Sequence, residues 1–176
     1  MALSDDSGTA VAQPALRLAD DGELLVPGRH RATLEQIYDL FVLQAPFADD
    51  RQVIWEAFDL YQRNVARLLP NSKLWVDGGF VTHKRWAPPN DVDVCIIAST
   101  EEVAAAGPAL LPLLTDTSGP KRVQPMSGMV DGFITVPRPH PDSNSAYWAH
   151  QWSRVRDLNG NEDESRRKGY VEVVSS

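Results

Sequence analysis

The chain has 176 residues, of which 43% are hydrophobic and 23% are charged, so it can build the core of one ordinary domain, and wholesale disorder or a fibrous fold is excluded. Its 24 acidic and 17 basic residues give a net charge of −7. This balance argues against general nucleic-acid binding, which is mainly cationic. The single cysteine, Cys95, excludes an internal disulfide framework and a cysteine-rich zinc site.

The N-terminal residues predict a tail and no membrane association. Residues 1–23 are polar and aperiodic, without the basic start and apolar run of a signal peptide. No apolar stretch approaches the roughly 20 residues that a membrane helix requires. We therefore expect a disordered tail at 1–23, a single domain at 24–176, no membrane partner and a cytoplasmic location, which also suits the lone cysteine.

Two helices are predicted next. Thr33 opens a capping box, and a short helix over 33–42 follows it. Apolar residues at helical spacing predict a longer helix over 51–69. Either Asp49 or Asp50 is expected to cap this second helix.

The rest of the chain alternates strands with helices. The predicted elements are a strand at 73–76, a strand at 92–98, a helix at 101–114 shortened by Pro108 and Pro112, a strand at 129–136, a helix at 145–158, a hydrophilic loop at 159–168 and a strand at 170–174. This order is typical of an α/β or α+β domain, so we predict a small twisted mixed β-sheet flanked by helices. Trp148 and Trp152, four residues apart on a predicted helix, are interpreted as core residues.

Four residues between the predicted helices at 51–69 and 101–114 suggest a ligand-binding site. Gly78 and Gly79 follow a strand, so a backbone turn there can approach a ligand closely and its amides can hold phosphate oxygens. Asp91 and Asp93 alternate along the next strand, so both carboxylates project from one face. Such carboxylates repel each other when ionised, and a shared divalent cation removes that cost. Each pair alone is more typical of a turn or a solvated strand edge, but the two together favour a ligand site.

This arrangement resembles the nucleotidyltransferase superfamily with the DNA polymerase β-like fold. The family signature is similar to Asp77-Gly78-Gly79, the spacer 80–90 and the run Asp91-Val92-Asp93-Val94. One departure is Asp77, because the family usually has an apolar residue there. A closer likeness, over about 27–174, is to a group of small uncharacterised bacterial and phage nucleotidyltransferase-like proteins. The residues that carry it are Gly28, His30, Thr33, Leu34, Gln36, Ile37, Arg51, Gly78, Gly79, Phe80, Thr82, Lys84, Pro89, Asn90, Asp91, Asp93 and Lys168-Gly169-Tyr170-Val171.

The resemblance implies a site for two Mg²⁺ ions and an NTP. The metal-binding and catalytic residues that it implies are Asp91, Asp93 and a third carboxylate, for which Asp131 is the best candidate. The nucleotide-binding residues that it implies are Gly78, Gly79, Thr82, Lys84 and Lys168. Asp131 is the only acid within the predicted strand 129–136, but an Asp-Gly hairpin turn explains it equally well. Glu172 is a weaker alternative, and His83 and Arg85 are interpreted as exposed loop residues.

The function implied by this resemblance is Mg²⁺-dependent transfer of a nucleotidyl group from an NTP to an acceptor hydroxyl, with pyrophosphate leaving. The acceptor is left open between a protein side chain, a tRNA end and a small molecule. The alternative is a catalytically silent module of the same fold, which binds a nucleotide or a protein partner, for example in a toxin–antitoxin pair or in phage–host conflict. The position of Asp131 relative to Asp91 and Asp93 distinguishes the two.

Overall fold

A computed structural model describes residues 16–137, 144–157 and 159–175. Within these residues the chain forms a five-stranded mixed sheet, a two-stranded hairpin and four α-helices. The strands are β1 (Gly28–Ala32), β2 (Lys73–Asp77), β3 (Val92–Ile97), β4 (Val130–Thr135), β5 (Arg154–Arg156), β6 (Glu162–Arg167) and β7 (Gly169–Val173). The helices are α1 (Leu34–Tyr38), α2 (Ala48–Leu68), α3 (Thr100–Ala106) and α4 (Asn144–Trp152). The prediction of a mixed α/β domain is thereby confirmed.

The two N-terminal helices form largely as predicted. Thr33 caps α1 with both bonds of the capping box, and the helix continues as a π-helical turn over Asp39–Leu43. The cap predicted for α2 is wrong: Phe47 is its N-terminal cap, with a left-handed φ of 62°, and Asp49 and Asp50 lie in the first turn. Acids are favourable in that turn because they oppose the helix dipole.

The large sheet has the strand order β1-β7-β2-β3-β4. The outer pairs, β1 with β7 and β3 with β4, are parallel, whereas β2 is antiparallel to both of its neighbours. Helix α2 covers one face of this sheet through an apolar cluster that includes Phe58 and Val94. The other face has a smaller cluster of Trp75, Cys95, Trp152 and Tyr170, in which Trp152 has the core position expected of it.

The C-terminal region differs from the prediction. The helix expected at 145–158 ends at Trp152, and part of the loop expected at 159–168 is the strand β6, which pairs with β5. Asp157 accepts hydrogen bonds from the amides of Asn159 and Asn161 and so shapes the connecting turn. Strand β6 has the sequence EDESRR, which lacks the β-branched and aromatic residues by which strands are recognised.

The segment just before β1 is packed against the domain. Leu18 pairs with Leu25, and the amide of Val26 donates to the carbonyl of Arg17 at 3.1 Å. Residues 16–23, which the sequence placed in the tail, are therefore part of the described structure. Within the described residues, no helix is both long and apolar enough to span a membrane.

Candidate functional site

Three carboxylates lie side by side on neighbouring strands. The register pairs Asp77 of β2 with Asp93 of β3, and Asp93 with Asp131 of β4. Because directly paired residues project from the same face of a sheet, these three side chains form one row, here called the acidic row. Asp91 immediately precedes β3, which begins at Val92, and its charge contributes to the raised pKa of Asp93. Asp131 is inside β4, so it is a strand residue and not part of a hairpin turn.

The glycine turn touches the middle of the acidic row. Gly78 has a φ of +83°, and a Cβ atom built on it would lie 1.8 Å from Oδ2 of Asp93. Both the backbone conformation and the close approach therefore require glycine at this position. A Cβ atom on Gly79 would lie 3.3 Å from Nζ of Lys84, so the turn brings a carboxylate and an ammonium group close together.

Asp93 carries the least compensated charge of the row. Burial, followed by the charges of Asp77 and Asp91, raises its pKa to about 7. Within the described part of the chain, no side chain donates a hydrogen bond to its carboxylate or forms an ion pair with it. A cation at this position would relieve the repulsion between the carboxylates.

Asp77 has its own cation. Lys168 forms a buried ion pair with Asp77, although burial still raises the pKa of Asp77 to about 6. The family that the sequence resembles usually has an apolar residue at the position of Asp77. In this chain the carboxylate found there is paired with Lys168, which immediately precedes β7. Lys168, predicted to bind nucleotide, lines the same cavity but is held by this partner.

Asp91 and Asp131 are held by one segment of the chain. Thr115 donates to Oδ1 of Asp131 at 2.6 Å, and the guanidinium group of Arg122 pairs with Oδ2 of the same carboxylate. Gln124 donates to Oδ2 of Asp91 at 2.6 Å. We call residues 115–124 the donor segment. Sequence reasoning missed it because it carries no motif and precedes Asp131 in a stretch without clear periodicity.

The residues fit Mg²⁺ by their chemistry more closely than by their present arrangement. Carboxylate oxygens are the ligands that Mg²⁺ prefers, and the acidic row with Asp91 supplies several of them. Among the described residues, however, no group of three or more His, Cys, Asp or Glu side chains is arranged to hold a metal ion. The donor segment occupies one oxygen of Asp91 and both oxygens of Asp131, so these carboxylates have fewer lone pairs left for an ion held together with Asp93.

The acidic row forms one side of a cavity of about 780 Å³. Other predicted site residues that line it are Gly78, Gly79, Thr82, Lys84 and Lys168. Asp91 is not among the lining residues. Burial, with the charge of Lys168, lowers the pKa of Lys84. Thr82 donates its hydroxyl hydrogen to the carbonyl of Gly79 at 2.8 Å, so it stabilises the turn.

The surroundings of His83, in a loop, and of Glu172, on β7, differ from those expected. His83 is buried, and its Nε2 lies 2.8 Å from the carbonyl oxygen of Leu40, so the prediction that it is exposed is wrong. Glu172, the weaker alternative for the third carboxylate, is buried beside Trp75, which donates to it at 3.0 Å. Since Glu172 is in register with Trp75, it lies in the next row of the sheet, outside the acidic row.

A buried arginine supports the loop that follows the glycine turn. Arg51 of α2 is fully buried, and burial lowers its pKa to about 10. It donates to four backbone carbonyls, those of Phe41 at 3.0 Å, Pro46 at 2.7 Å, Phe80 at 2.6 Å and Thr82 at 2.6 Å. These bonds fix residues 80–82 against the N-terminal helices and bring a positive charge close behind the cavity.

Comparison with known protein families shows which family the chain belongs to. A family model described as "Family of unknown function (DUF6932)" matches residues 17–174, nearly the whole chain. A search of curated proteins and a search of solved structures each found no match.

Proposed function

This chain belongs to the family of unknown function DUF6932, and we propose that it is a Mg²⁺-dependent nucleotidyltransferase with a DNA polymerase β-like fold. It moves a nucleotidyl group from an NTP to an acceptor hydroxyl. One observation carries the proposal: Asp93 and Asp131 are paired in register, directly beside the turn at Gly78. Two carboxylates next to a turn that requires glycine are the features of a site for a phosphate ligand and its cation.

The proposed reaction is an exchange of bonds at the α-phosphorus. The oxygen of the acceptor hydroxyl bonds to this atom, the bond to the oxygen that bridges to the β-phosphate breaks, pyrophosphate leaves, and the hydroxyl proton passes to a carboxylate or to water. Asp91, Asp93 and Asp131 would hold Mg²⁺, which would supply charge neutralisation and lower the pKa of the hydroxyl. Lys84 and Lys168 bind the phosphates from the side of the glycine turn.

The first experiment measures ligand binding through stability. Magnesium together with an NTP is expected to raise the melting temperature, because a ligand that binds only the native state stabilises it. The double variant Asp91→Asn, Asp93→Asn is expected to lose this shift. A matched control is Asp49→Asn, Asp50→Asn, which removes two exposed charges from the first turn of α2 and keeps the shift. An equal shift in the site variant means that the ligand binds elsewhere.

The second experiment measures transfer. The protein is incubated with Mg²⁺, a cell lysate and each NTP in turn, labelled at the α-phosphate, and label is followed in protein, RNA and small-molecule fractions. The fraction that acquires label identifies the class of acceptor. Asp131→Asn is expected to keep NTP affinity within a few-fold but to lower transfer at least about a hundredfold, which is a barrier change of roughly 3 kcal/mol.

A second candidate function is a catalytically silent module that binds an NTP or a protein partner, as in a toxin–antitoxin pair or phage–host conflict. The observation that favours it is the engagement of Asp131 by Arg122 and Thr115, which leaves this carboxylate fewer lone pairs for an ion. Wild-type protein that binds an NTP but labels no acceptor supports the silent module. Transfer that depends on Asp131 supports the enzyme.

A further inference from the structure

The cavity has an aromatic side that begins next to the acidic row. Phe133 lies two residues after Asp131 on β4, on the same face and about 6.6 Å further along the strand. Trp148 of α4 packs on Phe133 with ring centroids 4.6 Å apart, and Tyr147 packs against Trp148 at 5.5 Å. All three rings line the cavity. We call Phe133, Tyr147 and Trp148 the aromatic wall.

Exposed aromatic side chains are concentrated at this cavity. In the described part of the chain, the large hydrophobic side chains that are well exposed include two aromatic ones, Tyr147 at 58% and Trp86 at 55%. Both line the cavity. The five aliphatic side chains of this class that are exposed among the described residues all lie outside it: Leu43, Val53, Leu60, Leu111 and Val123.

This distribution distinguishes the two rings from ordinary surface residues. Scattered exposed aliphatic side chains are normal and need no explanation. Aromatic rings, by contrast, leave up to 150–250 Å² of contact area unused when they are exposed, and they stack on other planar rings. Trp86 is also held in place, because Nζ of Lys84 lies 4.9 Å from the centroid of its ring. A lysine at the phosphate side of the cavity therefore orients one of the two exposed rings.

From these contacts we infer that the aromatic wall and Trp86 form the subsite for the planar base of a nucleotide. This inference rests on the proposed function, which assigns the phosphates to the neighbouring glycine turn and lysines. Phe133, where the wall begins, follows Asp131 as the next side chain on the same face of β4. A single ligand therefore reaches both the acidic row and the wall when a short polar linker separates its charged end from its planar end. A nucleotide has this construction, with ribose as the linker. Stacking surfaces accept any base, and a purine covers more of the wall than a pyrimidine.

The test uses three probes that separate the subsite from the phosphate site. Inorganic tripolyphosphate has only the charged end, adenosine has only the planar end, and ATP has both. Binding of each, with Mg²⁺, is measured by calorimetry, and adenosine is also followed by saturation-transfer NMR. The variants are Tyr147→Ala, Trp86→Ala and Tyr147→Phe. The control is Leu111→Ala, which truncates an exposed side chain outside the cavity.

The expected results are specific to the rings. Tyr147→Ala and Trp86→Ala each weaken ATP and adenosine binding at least about fivefold, the lower end for loss of one stacking contact, and leave tripolyphosphate binding unchanged. Tyr147→Phe and Leu111→Ala bind all three probes like the wild type. ATP binds more tightly than CTP or UTP.

Two results would overturn the subsite and one would overturn only the proposed function. Equal ATP and adenosine affinity in wild type and both alanine variants shows that the rings do not hold the base. If tripolyphosphate binds but neither adenosine nor ATP does, the protein has the phosphate site but not the proposed base subsite. Adenosine binding that depends on Tyr147, in a protein that binds no triphosphate, supports the subsite and contradicts the nucleotidyltransferase proposal.

Discussion

Replacing Asp93 by asparagine is expected to stabilise the protein. Burial and the charges of Asp77 and Asp91 raise the pKa of Asp93 from an ordinary 3.8 to about 7. The native state therefore binds this proton more tightly than the unfolded state, and the free energy of unfolding falls as the pH rises from about 4 to about 7. Asparagine has nearly the same shape as aspartate but no charge, so the variant does not lose stability in this way.

The two pKa values set the size of the effect. Their difference of about 3 corresponds to about 4 kcal/mol above pH 7, at 1.36 kcal/mol for each pH unit. The new amide lacks a hydrogen-bond partner and costs about 1 kcal/mol, which leaves a net gain of about 3 kcal/mol at pH 8. At pH 5 less than half of this repulsion has developed, so the variant gains little there.

Urea unfolding at pH 5 and pH 8 measures this difference, with Asp49→Asn as the control for loss of an exposed carboxylate. Magnesium at pH 8 should raise the stability of the wild type and leave Asp93→Asn unchanged, because the ion and the substitution relieve the same repulsion. Stability curves of wild type and Asp93→Asn that stay parallel between pH 5 and pH 8 would refute this account of the acidic row.

Two further substitutions test the surroundings of the row. Gly78→Ala is expected to abolish the Mg²⁺–NTP melting shift, because its Cβ atom would lie 1.8 Å from Oδ2 of Asp93. The control Gly160→Ala, at a similar φ of +81° but with no atom within 4 Å of its Cβ position, is expected to keep the shift. Equal behaviour of the two variants would show that the contact with Asp93 is unimportant. Arg51→Met is expected to lower the free energy of unfolding by about 3 kcal/mol, since it leaves buried carbonyls without donors. The control Arg63→Met removes an exposed i,i+4 ion pair and should cost about 0.5 kcal/mol or less. A loss below about 1 kcal/mol for Arg51→Met would contradict the proposal that Arg51 supports the loop at residues 80–82.

Local patterns predicted much of the fold and part of the site. Thr33, the apolar repeat of α2 and the β-branched run of β3 are short-range signals, and each produces its element within a few residues of the expected bounds. Strand alternation predicts the same-face placement of Asp91 and Asp93, although β3 begins at Val92 and Asp91 precedes it. These features depend on neighbouring residues, which a single sequence displays directly.

Features that depend on partners far away in the sequence could not be predicted from local patterns. Strand β6 exists because β5 pairs with it, although its own residues have low strand propensity. The bond from Arg122 to Asp131 requires the donor segment to fold back beside β4, where the amide of Thr115 donates to the carbonyl of Gly132 and Asp116 pairs with Val123, and no local pattern encodes this path. His83 reads as an exposed loop residue until the carbonyl of Leu40, 43 residues earlier, is placed beside it.

The position of β7 has a consequence for how the protein is made. This strand lies between β1 and β2, so Gly28 and its partner Gly169 are 141 residues apart. During synthesis the hydrogen-bonding edge of β2 and the indole of Trp75 remain uncovered until Glu172 has left the ribosome. Pairing over such a separation is slow, and an open strand edge is a template for intermolecular pairing. Nascent chains of this protein are therefore expected to need chaperone protection until β7 has emerged, and truncation before Gly169 should yield aggregates in place of a smaller folded domain.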